Sequence, residues 1–161
     1  VSTLLFRQYN SKDLEACLAI FDSNTPPYFD DEERDLFASW LKQIGFGNLA
    51  YSNTDFNYYE VAELDGQVVA CAGYYVVNKE SAARMAWGMV HRSHHSKGFG
   101  SAHLKRRIEL IQEQCAGYQI DLGTSQHTFK FYEKHGFEVA SITANGYGQG
   151  IDKYDMVLRL K

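Results

Sequence analysis

The sequence predicts a mixed α/β sandwich, one sheet with helices on its faces. Three observations carry this. Hydrophobic periodicity alternates between strand-like and helix-like in the order β-α-α-β-β-β-α-β-α-β-β. Asp65-Gly66, set between two apolar runs, signals a type I′ hairpin. The chain has 161 residues, of which 45% are hydrophobic. That suits one domain over residues 1–161, which at this size buries roughly 70% of its unfolded surface without disulfide or metal support.

Residues 4–9 read as a strand. Ser11 caps a first helix whose Leu14, Cys17, Leu18 and Phe21 form an i, i+3, i+4, i+7 stripe. Pro26-Pro27 interrupts the chain. Asp30 and Glu33 make a capping-box-like start to a second helix, striped by Phe37, Trp40, Leu41 and Ile44 and ending near Gly45 and Gly47. Residues 58–63 and 67–77 are the hairpin strands, and 83–90 form another. Residues 98–114 read as a long helix with Leu104, Ile108, Ile111 and Cys115 on one face. Residues 119–122 are a short buried strand. Residues 128–135 form a short helix stopped by Gly136 at a position that tolerates positive φ, followed by the hydrophobic contact of Phe137. Residues 139–144 and 154–160 close the sheet around a loop holding Gly146, Gly148 and Gly150.

Net charge is −4, from 16 Lys+Arg and 20 Asp+Glu, which disfavours general nucleic-acid binding. The charge is segregated. Arg84, Arg92, Lys97, Lys105, Arg106 and Arg107 lie in a stretch with no acidic residue, so that segment is +6 and the remainder −10. A basic island in an acidic chain suits a small polyanion, although Lys105, Arg106 and Arg107 also fit a solvated helix face. Asp30, Asp31, Glu32, Glu33 and Asp35 open the second helix, where the macrodipole already favours carboxylates. The three cysteines, Cys17, Cys71 and Cys115, are widely spaced with no C-x-x-C. This argues against a disulfide framework or cysteine zinc site and for a reducing compartment. The first residues lack a signal-peptide pattern, and the longest apolar run, residues 68–77, is half of the ~20 a membrane span needs. The expectation is a soluble cytoplasmic domain with no membrane partner.

Chemistry concentrates where the strand at 83–90 passes through His91-Arg-Ser-His-His-Ser-Lys-Gly-Phe-Gly100-Ser101 into the long helix. Unsatisfied N–H groups at a helix start converge on one point, and glycine lets a phosphate approach the backbone. A phosphate or pyrophosphate cradle is expected, distinct from a Walker loop or Rossmann fingerprint, whose glycine and lysine spacings are absent.

This junction, read as His95-Ser-Lys-Gly98-Phe-Gly100, together with Phe131-Tyr-Glu-Lys-His-Gly-Phe137, resembles the two motifs of the GNAT superfamily of acyl-CoA-dependent N-acetyltransferases. The element order matches along the chain. The resemblance implies a mostly antiparallel twisted sheet, splayed between the strands ending near Val90 and Leu122. It implies that acetyl-CoA, as acyl donor, lays its pantetheine arm in that gap against the backbone of Met89 and Val90. Its pyrophosphate would meet the amides of Ser96, Lys97, Gly98, Phe99, Gly100 and Ser101, with Phe131 part of the same site. Tyr132 would stand near the thioester sulfur and protonate the leaving thiolate. His95 occupies the family's Arg/Gln position and Ser125 its frequent Asn position, both expected near the cofactor.

The acceptor's base stays open among Asp121, His91 and a water chain, because residues 84–90 contain no carboxylate. His91, His94 and His95 lack an adjacent Cys or carboxylate to complete a metal site, so no metal is expected. Cys71 lies in the most apolar strand, where burial suppresses a nucleophilic thiolate. Tyr28, Phe29 and Tyr147, in irregular segments, are the acceptor-site candidates. The expected activity is acetyl transfer to a primary amine of a small molecule or peptide by direct attack in a ternary complex. The alternative is a non-catalytic acyl-CoA sensor. The resemblance is compatible with a homodimer.

Overall fold

The computed structural model describes residues 3–49 and 51–159. In chain order it contains β1 (Leu5–Gln8), α1 (Leu14–Ser23), α2 (Glu33–Gly45), β2 (Phe56–Leu64), β3 (Gln67–Val77) and β4 (Ala82–Val90). These are followed by α3 (Phe99–Gln114), β5 (Gln119–Thr124), α4 (Phe129–Glu133), β6 (Glu138–Gly148) and β7 (Ile151–Arg159). The seven strands form one sheet in the order β1-β2-β3-β4-β5-β7-β6. Every pairing is antiparallel except β4 with β5. The predicted element order and fold class are those observed.

Two apolar layers cover the two faces. On one, Leu18, Ile20 and Phe21 of α1 and Phe37, Trp40 and Leu41 of α2 pack on Tyr59, Val61, Cys71, Ala86 and Met89. On the other, Leu104 and Ile111 of α3 pack on Tyr74, Val76, Ala83, Ile120 and Met156, with Phe137 beside them. Fully buried side chains such as Phe21, Phe37 and Leu41 contribute about 1.5–3 kcal/mol each through lost apolar exposure. Asp65 and Gly66 both have positive φ, as the two central residues of a type I′ turn require.

Two local expectations need correcting. Asn10, not Ser11, caps the first helical turn. Its side chain accepts from Lys12 N–H at 2.9 Å, while Asp13 accepts from Asn10 N–H at 3.0 Å, a reciprocal box one residue earlier. The glycine-rich segment is largely strand. Asn145 N–H bonds Asp152 Oδ1 and Gly150 N–H bonds Asn145 Oδ1, so side chains extend the β6–β7 hairpin to its tip. The predicted final strand reaches Leu160, which lies outside the described residues. On α3, Leu104 and Ile111 are buried with Ile108 and Cys115 packed against the same layer, as expected, and the helix also buries His103 and Arg107.

Two irregularities of β4 shape the site. Met89 faces Cys71 and Ala86 faces Gly73, so Ala72 is opposed by both Trp87 and Gly88 in a bulge, with Trp87 at φ +43°. β4 and β5 pair only through Ala82–Gln119, Ala83–Ile120 and Arg84–Asp121. Beyond Arg84 the strands diverge, and the sheet opens into a V.

Candidate active site

The V is the mouth of a cavity of about 1240 Å³ that reaches both sides of the sheet. On one side stands the start of α3. Its first i→i−4 bond runs from Ala102 N–H to Gly98 O, so the amides of Phe99, Gly100 and Ser101 lack intrahelical acceptors. Ser96 (φ +65°) and Gly98 (φ +81°) are both left-handed, which curls the preceding loop into a concavity of N–H groups suited to an anion. Gly98 has no neighbour within 4 Å of a would-be Cβ, and Gly100 meets only the Phe131 and Val90 side chains at ordinary distance. An acceptor-only pyrophosphate needs this set of donors, so the residues present fit the group that the motifs imply.

Of the residues expected at the cofactor, Met89, Val90, His95, Ser96, Gly98, Phe99, Gly100, Ser101, Ser125 and Phe131 line the cavity; Lys97 does not, its Nζ lying 3.3 Å from His94 Nδ1. His95 turns its Nε2 to Val90 O at 3.0 Å, and the same carbonyl accepts from buried Asn24 Nδ2 at 2.9 Å. Ser125 is buried and organises the start of α4, its hydroxyl accepting from His127 N–H and its carbonyl from Thr128 and Phe129.

Tyr132, on α4, is half-buried and lines the cavity between Phe131 and Phe137, ring centroids 5.1 and 5.9 Å away. Burial pushes its phenol above the ordinary range, and the adjacent Arg107 guanidinium only partly offsets this. The phenol therefore keeps its proton at neutral pH. Arg107 is 3% exposed and also lines the cavity. Its Nη1 donates to Gly73 O at 3.1 Å, and the Gly88 side of the β4 bulge closes over it. The basic island is thus mostly engaged internally. Arg84 pairs with Glu80 and Asp121, and Arg106 with Glu60. Sequence reasoning left Arg107 as a possible surface charge; its i+3 spacing from Leu104 was the available signal.

The base candidates separate. Asp121 lines the cavity at the apex of the V, but it accepts from Gln119 Nε2 at 2.6 Å and faces Arg84 Nε at 3.7 Å. His91 Nδ1 accepts from Ser93 N–H and caps the turn before α3, and His91 is not part of the cavity wall. Glu33, at the first turn of α2, was missed as a site residue because a first-turn carboxylate has a sufficient structural role. It is 8% exposed, lines the cavity, and is pushed up to about 7 chiefly by burial.

Tyr28, Phe29 and Tyr147 all line the cavity. Tyr28 sits edge-on to His95 and His127 and under the Arg92 guanidinium. Phe29 stacks on Phe21 and leans toward Trp87. Tyr147 lies over Gly123, where any Cβ would collide with its hydroxyl. Among the described residues no three His, Cys, Asp or Glu side chains are grouped as a metal site, and no helix is long and apolar enough to cross a membrane.

No curated protein matches the chain by sequence. Residues 55–139 match the acetyltransferase (GNAT) domain. The fold is similar to that of a GNAT-family protein from Desulfovibrio desulfuricans, with TM-score 0.78, 20% identity and coverage of 98% of this chain and 99% of that one. It is also similar to the ribosomal-protein-S18-alanine N-acetyltransferase of Escherichia coli (TM-score 0.75, 19% identity, 99% and 95% covered). A Salmonella typhimurium protein solved with its cofactor acetyl-CoA gives TM-score 0.71 at 18% identity, 99% and 95% covered. The domain match spans β2 to the start of β6, taking in the divergent strands, the donor-rich start of α3 and Tyr132. On that match, over more than half of its length, the chain belongs to the GNAT family of acetyltransferases.

Proposed function

We propose that this protein moves an acetyl group from acetyl-CoA to a primary amine by direct attack within a ternary complex. The observation that carries the reading is the V between β4 and β5, with the free amides of α3 and Tyr132 of α4 both at the cavity it opens into. Acetyl-CoA supplies the activated acyl group. The Ser96–Ser101 backbone binds its pyrophosphate, with the helix dipole adding positive potential. The edge of β4 that β5 leaves unpaired takes the pantetheine arm at Met89 and Val90 as an added strand would be taken, the Val90 carbonyl itself being already engaged by Asn24 and His95. Phe131 and Ser125 shape the floor beneath it.

Tyr132 holds a proton until sulfur departs. A buried phenol that stays neutral is suited to this, because donation is needed only as negative charge develops on sulfur. The cavity is large enough for both substrates at once, as direct attack requires. Its acceptor side carries Phe29, Tyr147 and Glu33, an aromatic and acidic lining that suits an amine arriving as its cation. Three unbridged cysteines fit a cytoplasmic setting.

A panel of amines tests the reading: arylalkylamines, polyamines and peptides with free N-termini, assayed for thiol release with acetyl-CoA. Acetyl-CoA raises the melting temperature at concentrations well above its Kd, and at least one amine class releases thiol. Binding without thiol release across the panel would instead identify an acyl-CoA sensor.

A further inference from the structure

We propose that Glu33, from the first turn of α2, is the base that takes the proton from the acceptor amine. This rests on the transferase reading above and names the group that strand β4 does not supply.

Three carboxylates line the cavity: Glu33, Asp121 and Asp155. Two are already engaged. Asp121 is held by Gln119 and Arg84. Asp155 faces Lys153 Nζ at 3.6 Å and accepts from Ser141 Oγ at 3.2 Å. Glu33 has no cation. Among the described residues the only hydrogen-bond partner of its carboxylate is Asp30 N–H, 3.0 Å from Oε2, which leaves Oε1 for a substrate. The helix start of α2 fixes its backbone, and that one bond fixes its side chain against the cavity wall.

The charged and titratable neighbours favour a proton-accepting role. Glu33 is pushed up to about 7, chiefly by burial; the Asp30 N–H bond lowers it and the like charge of Asp30 raises it. Tyr147, from β6, faces it across the cavity. Its own phenol is pushed up by burial first, then by Glu33, Asp155 and Tyr132, so all three lie within electrostatic reach of Tyr147. An alkylamine near pKa 10 enters as an ammonium. A base matched to neutral pH is half ionised there and accepts the proton efficiently.

The step balances without a further reagent. Glu33 takes one proton from the ammonium. The nitrogen lone pair then forms the C–N bond as the C–S bond breaks, and Tyr132 gives its proton to sulfur. The nitrogen's second proton restores the Tyr132 phenol, and Glu33 returns its proton to solvent.

Glu33→Gln tests this, because a glutamine oxygen still accepts the Asp30 N–H bond and keeps the helix start. Thiol release with 2-phenylethylamine, spermidine and an alanine-terminated peptide is followed from pH 5.5 to 9. In parallel, carbon-13 NMR follows the glutamate carboxyls of the intact protein. The wild-type rate rises with a midpoint near 7; Glu33→Gln loses about 100-fold in kcat and the midpoint with it, while acetyl-CoA affinity stays within twofold. One glutamate carboxyl titrates near 7 and is absent from the variant spectrum. A variant retaining its rate within threefold, or a Glu33 carboxyl titrating in the ordinary range near 4, overturns the proposal. Acetyl-CoA binding with no thiol release from the wild type overturns the transferase reading instead, and Glu33's role as its base with it.

Discussion

The Arg107 guanidinium lies directly beneath Gly88, so close that a Cβ on residue 88 would sit 2.9 Å from Nη2 and 3.3 Å from Nη1. This couples the β4 bulge to the buried cation beside Tyr132. Gly88→Ala forces Arg107 to move and strains its 3.1 Å bond to Gly73 O. The expected cost is about 1–3 kcal/mol of stability, measured by urea unfolding, together with at least a tenfold fall in thiol release. Unchanged activity would separate the bulge from the site.

Tyr132→Phe removes a hydroxyl and keeps the ring that packs between Phe131 and Phe137. The expected result is a 10- to 100-fold lower kcat with acetyl-CoA affinity within twofold, read by thiol release and calorimetry. Equal rates for variant and wild type would remove Tyr132 from the chemistry.

Gly98→Ala places a side chain at φ +81°, a conformation L-residues reach at a cost of roughly 1–2 kcal/mol. No atom blocks the new methyl, so the penalty is one of backbone alone. The loop relieves it by turning its amides away from their common focus. Acetyl-CoA titration should show about tenfold weaker binding.

Glu33 also imposes a stability cost with a definite sign. Its folded value, raised to about 7 from an ordinary 4.5, means that the folded state binds its proton more tightly than the unfolded chain does. Its contribution is fully present below pH 4.5 and is lost as pH rises through 7. Glu33→Gln should therefore melt higher than wild type at pH 8, by an amount on the order of 1–3 kcal/mol, with the difference shrinking toward pH 5. Equal melting curves at both pH values would contradict this.

Glu60 behaves in the opposite sense. It is fully buried on β2, and burial alone would raise it. Bonds from His103 Nε2 at 2.9 Å, Arg106 Nε at 2.8 Å and Tyr58 Oη at 2.9 Å outweigh that and hold it below the ordinary range. Its stabilisation is present above pH 4.5 and is lost as pH falls through the lower folded value. Glu60→Gln should cost about 3 kcal/mol at pH 7, with the gap to wild type closing in acid, followed by thermal melts from pH 7 to 3.

Much of the architecture was legible because its determinants are local. The stripe Phe37, Trp40, Leu41 needs only a 3.6-residue period, and Asp65-Gly66 needs only two residues that tolerate positive φ. The donor-rich start of α3 was equally readable, since every helix leaves its first amides unsatisfied. The Asn10 cap and the extended β6–β7 hairpin escaped notice because several side chains in each segment compete for the same backbone partners, and spacing does not rank them.

The chemistry of individual side chains was another matter. Glu33 and Asp35 are near neighbours in one acidic run, yet only Glu33 is enclosed by the cavity wall, opposite a tyrosine more than a hundred positions later. Arg106 and Arg107 are adjacent, yet one reaches a buried carboxylate and the other lies under Gly88. A periodic pattern therefore predicts which face of an element turns inward. Proton affinity and pairing follow from solvent exclusion and the charges brought close, and both depend on distant segments that only folding assembles.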